Sequence, residues 1–97
     1  MNLAELAVIY SITNATFIKC ISLLRENTGF SQYVMILLCR YTVKLYDTQK
    51  FIMENFNKLG TVEYERSIKE YISEKVTECA ELEKRISEET QISLYTH

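Results

Sequence analysis

The chain has 97 residues, of which 47% are hydrophobic and 25% charged, with no Pro, two Gly and a net charge of −2. A chain of this length forms one domain at most. Its loop-forming residues are too few for a β-sandwich, so the composition predicts an all-α protein. The small negative charge argues against general binding to nucleic acid or acidic membranes.

The charge distribution and the cysteine content further restrict the class of protein. Residues 1–60 carry six Lys or Arg and four acids, whereas residues 61–97 carry five and nine, so the C-terminal third is acidic. Cys20, Cys39 and Cys79 are odd in number and far apart, which favours reduced thiols in an intracellular protein. One disulfide with a leftover thiol is the alternative. With His97 as the single histidine and no Cys-x-x-Cys, we expect no metal site and no cofactor.

The first helix is predicted over about 3–25. Asn2 is its candidate cap, with Glu5 three residues later, and Gly29 is a candidate left-handed residue after its end. From Leu6 to Leu24 the one charge is Lys19, and apolar residues occur on most sides. A helix of this kind lies inside a larger core or in a membrane.

The second helix is predicted over about 32–59, from a Ser31 cap to Gly60. Two apolar stripes run along it, which indicates two packing partners. The first is a heptad seam, formed by Val34, Leu38, Tyr41, Leu45, Thr48, Ile52, Asn55 and Leu59. The second consists of Met35, Cys39, Tyr46, Met53 and Phe56.

The third helix is predicted over about 62–88, with Thr61 as its cap. It has one narrow apolar seam among charged faces, made by Ile68, Ile72, Val76, Cys79, Leu82 and Ile86. The tail, residues 89–97, is expected to fray unless Ile92, Leu94 and Tyr95 dock on a neighbour. Short connections favour an up-down-up antiparallel bundle of the three helices. Because so short a chain has a marginal core, we expect oligomerisation to complete it.

Three interpretations of the first helix stay open: the core of a soluble oligomer, a membrane-embedded helix, and a helix released only on partner binding. The apolar run has the minimum length of a span. Asn14 and Lys19 oppose spanning, since a central Lys alone costs about 2.5 to 3.5 kcal/mol. The leading interpretation is the soluble oligomer, with an intracellular, cytoplasmic or virion location.

Enzymatic and nucleic-acid signatures are weak. The acidic cluster of Glu81, Glu83, Glu88 and Glu89 is interleaved with basic residues and is typical of a solvated helix face. A nucleophilic Cys39 or Cys79 lacks a nearby base, so we expect no enzyme. The basic line Arg40, Lys44 and Lys50 offers few phosphate contacts. A nucleic-acid-binding regulator, for example a ROP-like helical hairpin that binds RNA as a dimer, stays an alternative.

The chain is short, rich in Ile, Tyr, Glu and Lys, and free of Pro and Trp. In this it resembles small helical proteins encoded by viruses and plasmids of thermophilic archaea, although three cysteines depart from that pattern. The resemblance is compositional and carries no site residues. It implies a virion, assembly or adaptor protein rather than a metabolic enzyme.

The leading hypothesis is a homo-oligomeric helical bundle that acts by protein–protein association with itself, with another protein as the alternative partner. Seven tyrosines add to its potential interface area. The candidate interface residues are Leu6, Tyr10, Ile12, Phe17, Val34, Leu38, Tyr41, Leu45, Ile52, Tyr64 and Tyr71.

Overall fold

The computed structural model of the chain describes residues 3–26, 29–56, 62–92 and 94, and these residues contain three helices. They are α1 (Leu3–Glu26), α2 (Gln32–Asn55) and α3 (Val62–Thr90). The side chains of residues 3 and 62–65 lie outside this description, as do the predicted caps Asn2, Gly60 and Thr61. The all-α prediction is confirmed. In the described part, α2 ends four residues before Leu59, which is itself outside the described residues, and α3 extends two residues beyond the predicted 88.

The central helix is α2, which packs against α1 on one side and α3 on the other. Asn14 on α1 pairs with Gln49, and Phe17 with Tyr46, so residue numbers rise on α1 as they fall on α2. Two contacts fix the direction of α3 relative to α2 in the same way. Phe51 of α2 stacks on Tyr71 of α3, and Lys44 of α2 forms an ion pair with Glu78 of α3. The helices therefore run up-down-up, and the bundle measures 48 × 19 × 19 Å.

The helix ends follow from local chemistry. Ser31 is extended at φ −66° and ψ 159°, and its Oγ accepts a hydrogen bond from Val34 N at 3.2 Å, which confirms the predicted cap. Gly29 has φ +82°, the left-handed conformation predicted for it. At the end of α3 the same conformation falls on a residue with a Cβ, Gln91, at φ 64°.

The core is divided into two clusters near the two ends of the bundle. The larger is built from Cys20, Val34, Leu37, Leu38, Tyr41, Leu45, Ile86 and Leu94. The smaller consists of Leu6, Ile52, Ile68 and Ile72. The predicted seam of α2 is therefore buried at Val34, Leu38, Tyr41, Leu45, Thr48 and Ile52. The seam of α3 is buried only toward its ends, and Val76 in its middle is 48% exposed.

The segment after α3 folds back onto this core. Gln91 N donates to Ser87 O at 2.8 Å, and Ser87 Oγ donates to Ile92 O at 3.0 Å. Ile92 packs against the larger cluster, and Leu94 is fully buried in it. These two predicted docking residues thus dock on their own chain. Tyr95, the third, lies outside the described residues.

Candidate functional site

Six of the candidate interface residues are covered by their own chain. Each has an exposed fraction of 3% or less, and together they make up half of the buried apolar residues in the described part of the chain: Leu6, Val34, Leu38, Tyr41, Leu45 and Ile52. Four others, Tyr10, Ile12, Phe17 and Tyr71, are half-buried, and the side chain of Tyr64 is outside the described residues. A partner that docks on the folded chain would therefore meet other side chains.

The outward face of α1 carries few charges. Among the described residues between Glu5 and Arg25, every fully exposed one is uncharged: Ala7, Val8, Ser11, Ala15, Ile18 and Ser22. Val8 is 57% exposed and Ile18 59%. We call these six residues, together with Ala4, the outer face of α1. The residues of this face follow one another at intervals of four and three, which can be read from the sequence. Because α1 is apolar on most sides, the sequence did not show which side would pack inward.

Two large side chains of α2 widen this surface. Tyr46 is 53% exposed and lies beside Phe17, with ring centroids 6.3 Å apart. Met53 is 64% exposed, and its Sδ accepts a hydrogen bond from Tyr10 Oη at 3.7 Å. Both therefore sit at the junction of α1 and α2. The sequence placed them on the second apolar stripe of α2, which is thus partly open to solvent.

Three polar side chains of α1 are hydrogen-bonded within the chain. Gln49 Nε2 on α2 donates to Asn14 Oδ1 at 3.1 Å, and Gln49 is only 8% exposed. Thr13 Oγ1 donates to Ile9 O at 2.9 Å, and Thr16 Oγ1 to Ile12 O at the same distance. These hydrogen bonds turn the polar atoms of Thr13, Asn14 and Thr16 toward the α1 backbone or toward α2, and Ser11 and Ser22 are the polar residues of the outer face.

A groove of about 310 Å³ separates α1 from α3 over the middle of α2. Tyr41, Leu45 and Thr48 line it from α2, while Ile9, Ile12, Thr13 and Thr16 line it from α1 and Val76, Cys79, Ala80 and Glu83 from α3. Its three threonine hydroxyls all donate to backbone carbonyls of their own helices. The other polar groups of its lining are the Tyr41 hydroxyl, the Cys79 thiol and the carboxylate of Glu83, whose Oε1 lies 3.2 Å from Ser87 Oγ.

One residue of the predicted basic line, Lys44, forms an ion pair within the chain. Lys44 Nζ lies 3.0 Å from Glu78 Oε2, and Lys75 Nζ lies 3.3 Å from the same oxygen. The hydrogen bond from Lys44 holds the pKa of Glu78 below its usual value. Lys44 thus pairs α2 with α3. It is therefore less available for a phosphate contact than the other two residues of the basic line, Arg40 and Lys50.

The three cysteines differ in environment. Burial raises the pKa of both Cys20 and Cys79 to about 11, so these thiols are protonated at neutral pH and poor nucleophiles. Cys39 is free and exposed on α2. Within the described residues, no cluster of three or more His, Cys, Asp or Glu side chains is placed to hold a metal ion.

No protein-family model, curated protein or solved structure matches this chain. The surfaces described above are therefore interpreted from their own chemistry.

Proposed function

We propose that this chain is a non-enzymatic association protein that forms a homo-oligomer through α1. The observation that carries the proposal is the outer face of α1, whose exposed residues are uncharged over about five turns, while Lys19, the one charge between Glu5 and Arg25, is half-buried. A helix at the surface of a soluble monomer normally turns charged and polar residues outward, as α3 does. Here the two aliphatic side chains Val8 and Ile18 are more than half exposed instead.

The energetics favour covering this face. The outer face with Tyr46 and Met53 forms a strip about 27 Å long. Pairing two such strips removes on the order of 1,000 Å² from water, which is at the lower end of specific interfaces. We therefore expect a dissociation constant of about 1 μM.

A second candidate function is membrane association through the same helix. The span Ala4–Glu26, 23 residues, is long and apolar enough to cross a bilayer by length and composition. Spanning would pull α1 away from α2, break the Asn14–Gln49 hydrogen bond and uncover the core around Leu38. Lying on a bilayer surface would keep the bundle intact, but interfacial helices use bulky Leu, Phe or Trp. The outer face offers mainly Ala and Ser, which suit a neighbouring helix better than lipid.

The compositional resemblance to archaeal viral and plasmid proteins agrees with an assembly or adaptor role, and that role is part of the proposal. The different surfaces of α1 and α3 support this role. The α1 outer face supplies apolar association surface, while α3, with its nine acids in the C-terminal third, keeps the assembly soluble.

The test uses charge introduced on the outer face. Val8→Glu and Ile18→Glu place a carboxylate at positions that are open in the single chain, so the fold is retained while an unpaired charge enters the interface. Each should weaken self-association by at least about 100-fold. Val43→Glu is the matched control, because Val43 is 56% exposed on a different face of α2.

Light scattering measures the molar mass of all four proteins, and circular dichroism confirms that they fold. Association of the wild type that Val8→Glu and Ile18→Glu leave unchanged would refute the proposal. Flotation with vesicles of neutral and of anionic lipid tests the second candidate. A monomeric wild type that floats with vesicles would favour membrane association over self-association.

A further inference from the structure

We propose that the groove between α1 and α3 binds a short alkylamine, with the alkyl chain among the three helices and the ammonium group beside Glu83. All three helices contribute to the lining of this groove. Its α1 residues are buried or half-buried, so they lie on a different side of that helix from the exposed outer face. The proposal therefore does not rest on self-association through α1.

The two ends of the groove differ in chemistry. Residue numbers fall on α2 as they rise on α3, so Tyr41 lies toward Glu83 and Thr48 toward Val76. Residue numbers on α1 rise as those on α2 fall, which places Ile9 at the Val76 end. A ligand in the groove thus meets a carboxylate at one end and aliphatic side chains at the other.

The charge of the groove comes from Glu83. This residue is half-buried, and no ion pair involves it within the part of the chain that the structure describes. Cys79 adds no charge at neutral pH, since burial raises the pKa of its thiol to about 11. Lys19 of α1 does not line the groove. One negative charge in an otherwise uncharged lining favours a cationic ligand and opposes an anionic one.

The middle of the groove offers apolar contact rather than hydrogen bonds. Thr13, Thr16 and Thr48 each donate their hydroxyl to a backbone carbonyl of their own helix. Leu45 is buried beneath the groove, whereas Val76 on its α3 wall is 48% exposed and gains cover from a ligand. A polar ligand body would lose its hydrogen bonds to water here without replacement. The part of the ligand between the helices is therefore aliphatic.

The dimensions of the groove set the length of the alkyl chain. Its volume of about 310 Å³ is at the lower end of small-molecule sites. The α3 wall from Val76 to Glu83 is about 10 Å long. Because an extended chain advances about 1.2 Å per bond, a chain of about eight carbons spans this wall. We therefore take n-octylamine as the probe, whose ammonium group, like that of lysine, is protonated at neutral pH.

Amide NMR titrations at neutral pH compare n-octylamine with 1-octanol and octanoate, which have the same chain length and differ in charge. We expect a dissociation constant of about 1 mM for octylamine, because so small a ligand buries few atoms. 1-Octanol should bind about 3-fold more weakly, since an ion pair with a half-buried carboxylate contributes modestly, and octanoate at least about 10-fold more weakly. Glu83→Gln should remove the preference for the amine. Glu81→Gln, the same charge change at an exposed residue outside the groove, should keep it.

Two further variants locate the probe. Ala80→Leu fills the groove, so all three probes should bind at least about 10-fold more weakly, while Ser73→Leu, at an exposed α3 position outside the groove, should leave binding unchanged. Circular dichroism confirms that both variants fold. In the Cys39→Ser chain, saturating octylamine should slow the reaction of Cys79 with a thiol reagent at least about 5-fold, because Cys79 lines the groove.

Three results would overturn the proposal. Equal affinity for the amine and the alcohol in the wild type would show that the carboxylate does not recognise the cation. Unchanged binding in Ala80→Leu, or an unprotected Cys79, would place the probe outside the groove. The absence of amide shifts up to about 10 mM octylamine would show that the groove holds no such ligand. The Val8→Glu chain should bind octylamine as the wild type does, so failure of either proposal leaves the other standing.

Discussion

The Asn14–Gln49 hydrogen bond fixes how α1 sits on α2, and removing one partner should cost more than removing both. Gln49 is 8% exposed, whereas Asn14 is half-buried. Asn14→Leu leaves the buried Gln49 amide without its partner, which should lower the free energy of unfolding by about 2 to 3 kcal/mol. Gln49→Leu leaves an Asn14 amide that water can reach, so we expect a loss of about 1 kcal/mol.

The double variant Asn14→Leu/Gln49→Leu should be within about 1 kcal/mol of the parent, because two facing leucines replace a satisfied polar pair. The coupling energy of the cycle is then on the order of 2 kcal/mol. Urea unfolding followed by circular dichroism gives each free energy. All proteins carry Val8→Glu, so that self-association does not add to the measured stability.

Gln32→Leu serves as the control, because Gln32 is exposed on the same helix. It should change the free energy of unfolding by less than about 0.5 kcal/mol. If the two single variants add up to the double variant, the two side chains do not interact. The proposed register of α1 on α2 would then be refuted.

Further predictions concern the caps, the thiols and the groove. Gln91→Gly should stabilise the chain by about 1 kcal/mol, because it relieves the left-handed φ of 64°, and Gly29→Ala should destabilise it by a similar amount at φ +82°; urea unfolding of the pair shows opposite signs, and equal signs would contradict the cap assignment. At pH 8 a thiol reagent should label one cysteine per chain rapidly, Cys39, and Cys39→Ser should abolish that phase; rapid labelling of two or more would contradict the burial of Cys20 and Cys79. Since burial raises the pKa of Cys20 from 9.0 to about 11, its contribution to stability is present below pH 9 and is lost as the pH rises through 11. Ala80→Leu, on the α3 wall of the groove, should raise the free energy of unfolding by about 1 kcal/mol by covering Val76 and Ile12, which line the same groove, and a loss of stability would show that the groove has no room for the added atoms.

Periodicity and cap chemistry predicted the parts of the fold that depend on one helix at a time. The heptad seam of α2 packs inward, as its spacing indicated, because one side of that helix is clearly more apolar than the other. Ser31 and Gly29 were predictable from local chemistry alone. The direction of the helices followed from the short connections.

The parts that depend on two or more helices were not predictable in this way. Val76 belongs to the apolar seam of α3, yet it is open because α1 and α3 diverge over the middle of α2. Leu94 belongs to a polar tail, yet the turn at Gln91 returns it to the core.

The candidate site shows the same limit. Leu6 and Ile18 are equally apolar, but the first is 1% exposed and the second 59%. A helix that is apolar on all sides carries no signal for which side meets α2. The contacts of Asn14, Phe17 and Tyr10 with α2 decide this, and they turn Val8 and Ile18 outward.

The most direct test of self-association is the molar mass of the wild-type chain by sedimentation equilibrium from about 0.1 to 100 μM, without detergent, bracketing the expected dissociation constant. The outer face of α1 predicts a mass that rises from that of one chain, 11.4 kDa, toward twice that value across this range. A mass of 11.4 kDa at every concentration would contradict it.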